Sequence, residues 1–373
     1  MPLKERVPLA RRQLLHEPLK VGLALVGVAV SVALVGLLFG LREGIRQQVT
    51  TYADNVGADL YVGSGGTRNF LSASSSSLPL SVGRELRDVK GVGTVEPITA
   101  WFEVLPLHDK KVVTEHVGFQ PGRLGGPWEL SDGRAPSRAG EIALDRAMAD
   151  DHGLAVGDTL EMGARRLRVV GLTGETASWM APLVFTTRHS AARLRRLPGT
   201  ATFFLVRANG VTTETLRTRL ARAFPSLSVL SRDEIAANDR KLMAGVFDST
   251  LMVMVLIALG VGAFVIGITI YGFVSERRRE FGTLKAIGER NRHLYWLVSR
   301  QALALAFLGL GLGLLLQRLT GSAVEALWPK FLFVYLASHL TLMVIAAFAM
   351  ALVGALVPVR VLARLEPVEV FRR

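Results

Sequence analysis

The 373-residue chain has no cysteine, only 7% aromatic residues and only 20% charged ones. Without cysteine there is no disulfide framework and no cysteine-ligated zinc or iron–sulfur centre. No Gly-Lys dipeptide occurs, so a Walker A loop, which cradles ATP phosphates, is missing. The HExxH, GxGxxG and GxSxG patterns are missing as well, which leaves no signature for a metalloprotease, a dinucleotide site or a serine hydrolase. What the chain has in place of charge is apolar bulk. Half of its residues are hydrophobic, which excludes disorder, and its length supports a core that needs no covalent staples.

Charge is missing most completely from four runs, 21–41, 249–275, 301–317 and 331–359. A helix rises about 1.5 Å per residue and the hydrocarbon layer is about 30 Å thick, so roughly 20 residues cross it. Three runs qualify directly. The third is extended by Leu294 to Val298 across Arg300, whose long side chain reaches an interface. The expectation is an integral membrane protein with four transmembrane helices, at 21–41, 251–274, 301–317 and, with its lead-in, 331–359. The first run is longer than the apolar core of a secretory signal and reaches Arg42 without a small-x-small cleavage site, so it reads as an uncleaved anchor.

The basic residues set the orientation. Segments 1–20, 275–300 and 360–373 carry 16 Lys and Arg against 7 acids, whereas 42–250 is nearly balanced at 26 against 23. The positive-inside rule places both termini and the 275–300 loop in the cytoplasm, with 318–330 as a short outer loop. The net charge of +13 is then membrane topology and attraction to lipid headgroups, and no nucleic-acid patch is needed.

This leaves 42–250 as an extracytoplasmic α+β domain inserted between helices 1 and 2. Leu41, Ile45, Val49, Tyr52 and Val56 recur at helical spacing after the first span, and Ser231-Arg-Asp-Glu opens a second helical stretch through Val246. Both read as stalks. Alternating runs predict strands at 58–62, 94–98, 101–107, 112–117, 159–162, 167–172, 183–186 and 202–206, and helices fit 144–152, 188–194 and 213–224. The Gly/Ser-rich stretch 63–79 reads as a flexible loop. His108 and His116, with Asp109 and Glu115, are a metal-ligand candidate in one hairpin, set against an ordinary solvated hairpin. His339 reads as a side chain at headgroup level. Gly36, Gly40 and Gly44 form a small-residue stripe suited to helix packing or to a dimer interface, and the dimer interface is the expectation taken forward. Phe39, Val246 and Phe247, beside Gly36, are the candidates for a lateral substrate pocket between the first two spans.

The cytoplasmic run from Ser275 carries the most information. Glu276 and Glu280, and Arg277 and Phe281, fall four residues apart, so a helix here presents a charged face beside a Phe281, Leu284, Ile287 ridge and ends at Gly288. An exposed ridge of this kind docks into a partner's groove. The run Glu276-Arg-Arg-Arg-Glu-Phe-Gly-Thr-Leu-Lys-Ala-Ile-Gly resembles the cytoplasmic coupling signature of the FtsX-like (MacB-type) permeases of ABC transporters. The tail through Leu365-Glu366-Pro367-Val368-Glu369 is similar to the end of that family, and Gly133-Arg134, Glu141-Ile-Ala-Leu, 154–159 and 167–171 to its periplasmic core domain. The four-span plan is nearer the DevC-like or haem-export-like subgroup.

The resemblance implies a non-catalytic permease subunit, coupled through Glu276, Arg277, Glu280, Phe281, Gly282, Leu284, Lys285, Ala286 and Gly288 to a separate ATPase that binds ATP and Mg. It implies a homodimer, or a pair with a related permease, in the cell membrane, with an extracytoplasmic adaptor as a further partner. Mechanotransmissive export of a hydrophobic or amphipathic compound is the expected function. The alternative is a transmitter that controls an extracytoplasmic enzyme or sensor. No cofactor is expected in this chain.

Overall fold

The computed structural model describes residues 18–107, 110–162, 165–178 and 180–363. In chain order the elements begin with α1 (Pro18–Gln48), α2 (Thr51–Asn55), β1 (Leu60–Ser64), β2 (Leu78–Pro79), α3 (Val82–Arg87), β3 (Val92–Leu107), β4 (Lys110–Phe119) and β5 (Leu130–Gly133). They continue through β6 (Glu141–Asp145), α4 (Arg146–Asp151), β7 (Thr159–Met162), β8 (Arg165–Thr173), β9 (Leu183–Thr187), α5 (Arg188–Leu194), β10 (Thr200–Ala201) and β11 (Phe203–Ala208). The chain then forms α6 (Thr213–Ala223), β12 (Leu227–Ser231), α7 (Arg232–Glu276), α8 (Arg278–Ala286), α9 (Asn291–Leu327) and α10 (Ala337–Ala363). Among the described residues two compact units result, one from 18–43, 249–326 and 333–363, the other from 44–248 and 327–332.

In the helical unit, α1, α7, α9 and α10 are each long and apolar enough to cross a membrane. Their shared core includes Val28 and Val32 of α1, Ile266 and Ile270 of α7, Leu294 and Leu305 of α9, and Met343 and Ala347 of α10. The opposite faces expose Ile257 and Phe264 on α7 and Ile345 and Leu352 on α10, as helices solvated by lipid do. Glycine sets the closest approaches. Gly309 and Gly313 of α9 pack on Val28, Ala29 and Val32, and Gly267 of α7 meets the backbone of Gly354 of α10. At Gly354 a β-carbon would lie 2.6 Å from the Ala263 carbonyl oxygen. Arg300 lays its guanidinium 4.7 Å over the Trp296 ring, which lets a charge sit beside the apolar run.

The second unit is built on a ten-stranded mixed sheet, ordered β12-β1-β11-β3-β4-β9-β6-β8-β5, with β7 on β8. The two segments read from alternation as separate strands, 94–98 and 101–107, are one 16-residue strand, β3. Its first half pairs with β11 and its second half with β4. Thr202, buried at the changeover, accepts the Ala100 N–H at 2.8 Å and its hydroxyl lies 3.3 Å from the Ile98 carbonyl. β6 is buried at every position, so it has no alternation to read, and the helix expected at 144–152 is confined to α4. At the start of α7, Ser231 Oγ accepts the Glu234 N–H at 3.1 Å and Glu234 accepts the Ser231 N–H at 2.8 Å, a complete capping box.

The Gly/Ser-rich stretch is packed, which corrects its reading as a flexible loop. Phe70 is 2% exposed and stacks on Tyr52 at 4.4 Å. Asp239 of α7 accepts the N–H groups of Phe70 and Leu71, each at 3.2 Å, and Asn238 donates to the Arg68 carbonyl. Of the metal-ligand hairpin, Glu115 and His116 fall among the described residues, and both are buried. His116 is fully buried, stacked on Trp101, and its Nε2 is hydrogen-bonded to the Thr114 hydroxyl at 2.8 Å. Burial pushes its pKa down to about 3. His108 and Asp109 lie outside the described residues, as do most of 1–20 and the Glu366 to Glu369 tail. Among the described residues no three His, Asp or Glu side chains converge on a metal position.

Candidate functional site

The cytoplasmic signature folds as a short helix set apart from α7. Glu276 closes α7, and Arg277, with φ −108° and ψ 22°, breaks the helical path before α8 begins. Lys20 of α1 pairs with Glu276, and Arg277 reaches Glu280 at 3.7 Å. At the other end Gly288 adopts φ +94°, its N–H bonds the Lys285 carbonyl and the Glu289 N–H bonds that of Leu284. These two bonds form a Schellman stop, which a left-handed glycine favours.

Within α8 the expected ridge divides. Phe281 is 5% exposed and joins the core of the helical unit, with Gly282 buried beside it. This corrects the reading of Phe281 as part of an exposed docking ridge. The helix that carries it follows a sharp break and lies against its own bundle, so its most apolar side chain is consumed there. Leu284 and Ile287 remain 40% and 79% exposed, flanked by exposed Ala286, Gly288 and Glu280. Lys285 donates from Nζ to the carbonyls of Leu362 and Ala363, at 2.9 and 3.0 Å. It thereby ties α8 to the last described turn of α10. Spacing gave no hint of this contact, which joins residues 77 and 78 positions apart. The result is a small platform, anchored by one apolar and one charged contact, that offers two aliphatic side chains among charged neighbours.

The other sequence-derived residues fall elsewhere. A β-carbon on Gly36 would collide with the Gln317 side-chain oxygen and with Met343, one on Gly40 with Tyr335, and one on Gly44 with the Leu332 carbonyl. The stripe is filled by the chain's own residues, which corrects its reading as a dimer interface and keeps helix packing. Phe39 stacks on His339 of α10, centroids 5.8 Å apart, so it packs toward the fourth span. Val246 is 55% exposed and Phe247 half-buried. In the sheet unit Arg134 grips Glu141 with both guanidinium nitrogens, and the N–H groups of Ser137 and Arg138 donate to the same carboxylate at 2.8 and 2.9 Å. The Arg134 hydrogen bond, helped by those backbone donors, holds the Glu141 carboxyl at about 2. This brace is structural.

Residues 252–367 match the FtsX-like permease C-terminal model, and residues 21–223, more than half of the chain, match the MacB-like periplasmic core domain. An uncharacterised ABC transporter permease of Mycobacterium bovis is 26% identical over 352 residues, which cover 94% of each chain. The macrolide export ATP-binding/permease protein MacB of Bordetella avium is 24% identical over 375 residues, 94% of this chain and 56% of that one. The solved periplasmic region of MacB from Actinobacillus actinomycetemcomitans aligns at 14% identity with a TM-score of 0.37, over 49% of this chain and 92% of that one. With four apolar helices and both models matched in order along it, the chain is a multi-pass membrane protein and belongs to the FtsX-like, MacB-type family of ABC transporter permeases.

Proposed function

We propose that this permease couples ATP hydrolysis in a separate ATPase subunit, which binds ATP and Mg, to export of a hydrophobic or amphipathic substrate. The observation that carries the reading is the α8 platform. Ile287 is 79% exposed on a helix otherwise fixed to its bundle, a surface whose burial by a partner is favourable and whose displacement moves the spans attached to it. The partner's groove accepts Leu284 and Ile287, while Glu276, Arg277 and Glu280 set the charge pattern at its rim. The termini and α8 face the cytoplasm, following the basic residues of 275–300.

Closure of the ATPase shifts α8, and the spans carry that shift outward as a rigid displacement. The helix α7 supports this role. Its 45 residues amount to about 68 Å of helix, roughly twice what the hydrocarbon layer requires. The functional assembly holds two copies of this chain or one copy beside a related permease, with an extracytoplasmic adaptor as a further partner. The test is ATP hydrolysis by the permease–ATPase complex in lipid nanodiscs. Stimulation by amphiphilic compounds supports export. Stimulation confined to an extracytoplasmic protein refutes it in favour of a signal transmitter.

A further inference from the structure

The first turns of α9 carry a stripe that the bundle core does not use. Arg292, Trp296 and Arg300 follow one another at four-residue intervals, and Phe307 comes seven residues later. At about 100° per residue these four positions fall within an arc of about 80°. All four side chains are exposed, Trp296 at 55% and Phe307 at 71%. The opposite face of the same turns is spent on the core through Leu294, Val298 and Ala302.

Neither arginine has its charge met by protein. Among the described residues the guanidinium groups of Arg292 and Arg300 make no ion pair and no hydrogen bond. Glu276 is engaged by Lys20 and Glu280 by Arg277, and Glu289, exposed just before α9, is outnumbered by Arg290, Arg292 and Arg300. Arg300 rests the face of its guanidinium on the Trp296 ring, 4.7 Å from its centroid. Stacking occupies the flat face and leaves the N–H edge free, and that rigid fork of donors matches the oxygens of a phosphate.

Depth decides which phosphate it meets. Arg300 is the last charge before the uncharged run 301–317, so it stands at the hydrocarbon boundary, the level at which tryptophan also settles. Arg292 lies about 12 Å further out along the helix, and Phe307 about 10 Å inside the apolar layer. A zwitterionic headgroup carries its own cation outward from the phosphate, toward Arg292. An anionic headgroup carries none, so both arginines attract it.

We propose that this stripe of α9 binds an anionic phospholipid. Its phosphate sits on the Arg300 fork, Arg292 completes the positive field around the headgroup, and an acyl chain lies along Phe307. The site goes beyond the coupling proposed above and is tested without the ATPase.

The experiment is native mass spectrometry of the full chain in detergent, titrated with phosphatidylglycerol, phosphatidylcholine or chainless glycerophosphate. Phosphatidylglycerol is expected to be retained most strongly. Arg300→Gln lowers its retention about fivefold, and Arg292→Gln with Arg300→Gln about thirtyfold, as the loss of one and of two cations beside a headgroup does. Both positions are exposed, so these variants leave the core of the bundle untouched. Arg318→Gln, which removes the same charge beyond the other end of the uncharged run, is expected to retain phosphatidylglycerol as the parent does. An equal loss there shows that net charge alone governs retention and overturns the site. Equal retention of phosphatidylglycerol and phosphatidylcholine by the parent also overturns it, as does a double variant that holds phosphatidylglycerol unchanged. Glycerophosphate bound as tightly as the lipid overturns the phospholipid and assigns a soluble phosphoester.

Discussion

Replacing Leu284 and Ile287 together by alanine separates a docking helix from a merely exposed one. Burying an isoleucine or leucine side chain completely is worth roughly 1.5–3 kcal/mol. With 79% of Ile287 and 40% of Leu284 still accessible, a groove that covers both gains about 2 kcal/mol from the first and about 1 from the second. Their loss weakens ATPase binding by about 3 kcal/mol, on the order of 100-fold in Kd. Phe281→Ala is the control. At 5% exposure it has almost no surface left to give a partner, and its removal leaves a cavity in the helical unit that costs about 3–5 kcal/mol of permease stability. The assay titrates the ATPase subunit onto the permease in nanodiscs, with thermal unfolding measured in parallel. The double variant is expected to unfold at the parent temperature and bind about 100-fold more weakly, whereas Phe281→Ala unfolds earlier. A double variant that binds within about threefold of the parent refutes the docking assignment.

Two further outcomes follow from the packing. Gly354→Val places side-chain atoms where the Ala263 carbonyl oxygen stands 2.6 Å from the β-carbon position, so α7 and α10 must separate and the yield of folded protein in detergent should collapse. Parent-like yield would show the crossing to be soft. Glu141 is held at about 2 against an ordinary 4.5, so its stabilisation is complete above about pH 4.5 and drains away as the pH falls toward 2. Glu141→Gln therefore unfolds at lower urea than the parent near pH 7, by about 1–2 kcal/mol for a grip whose arginine is half exposed, and the two converge in acid. Curves that stay parallel down to pH 3 would exclude the ionised brace.

The parts of this molecule that were legible in its sequence are those governed by local composition. Four spans follow from runs without charge, and α8 and its Gly288 stop follow from spacing and a glycine, because a helix end is a local event. The capping box at Ser231 and Glu234 is another such event. What stayed hidden depends on partners distant in the chain. The loop around Phe70 has a flexible composition, but its order comes from Asp239, 169 residues further on. Periodicity identified the apolar face of α8 and could not say that Phe281 turns inward while Ile287 turns outward. The glycines of α1 are equally suited to a second copy and to Gln317, Tyr335 and Leu332, and only the packed chain distinguishes them. β6 eluded alternation because it is buried on both sides, and β3 was divided because its partner strand changes halfway.

The double attachment of α8 has a mechanical consequence. A bracket fastened at one point swivels when it is loaded. This one is fastened twice, through an aromatic wedge in the bundle and through an ammonium group clasping the Leu362 and Ala363 carbonyls of α10. Force applied at Ile287 is therefore resisted as a couple. In the coupling proposed above, that load would enter the bundle as torque shared with the final span.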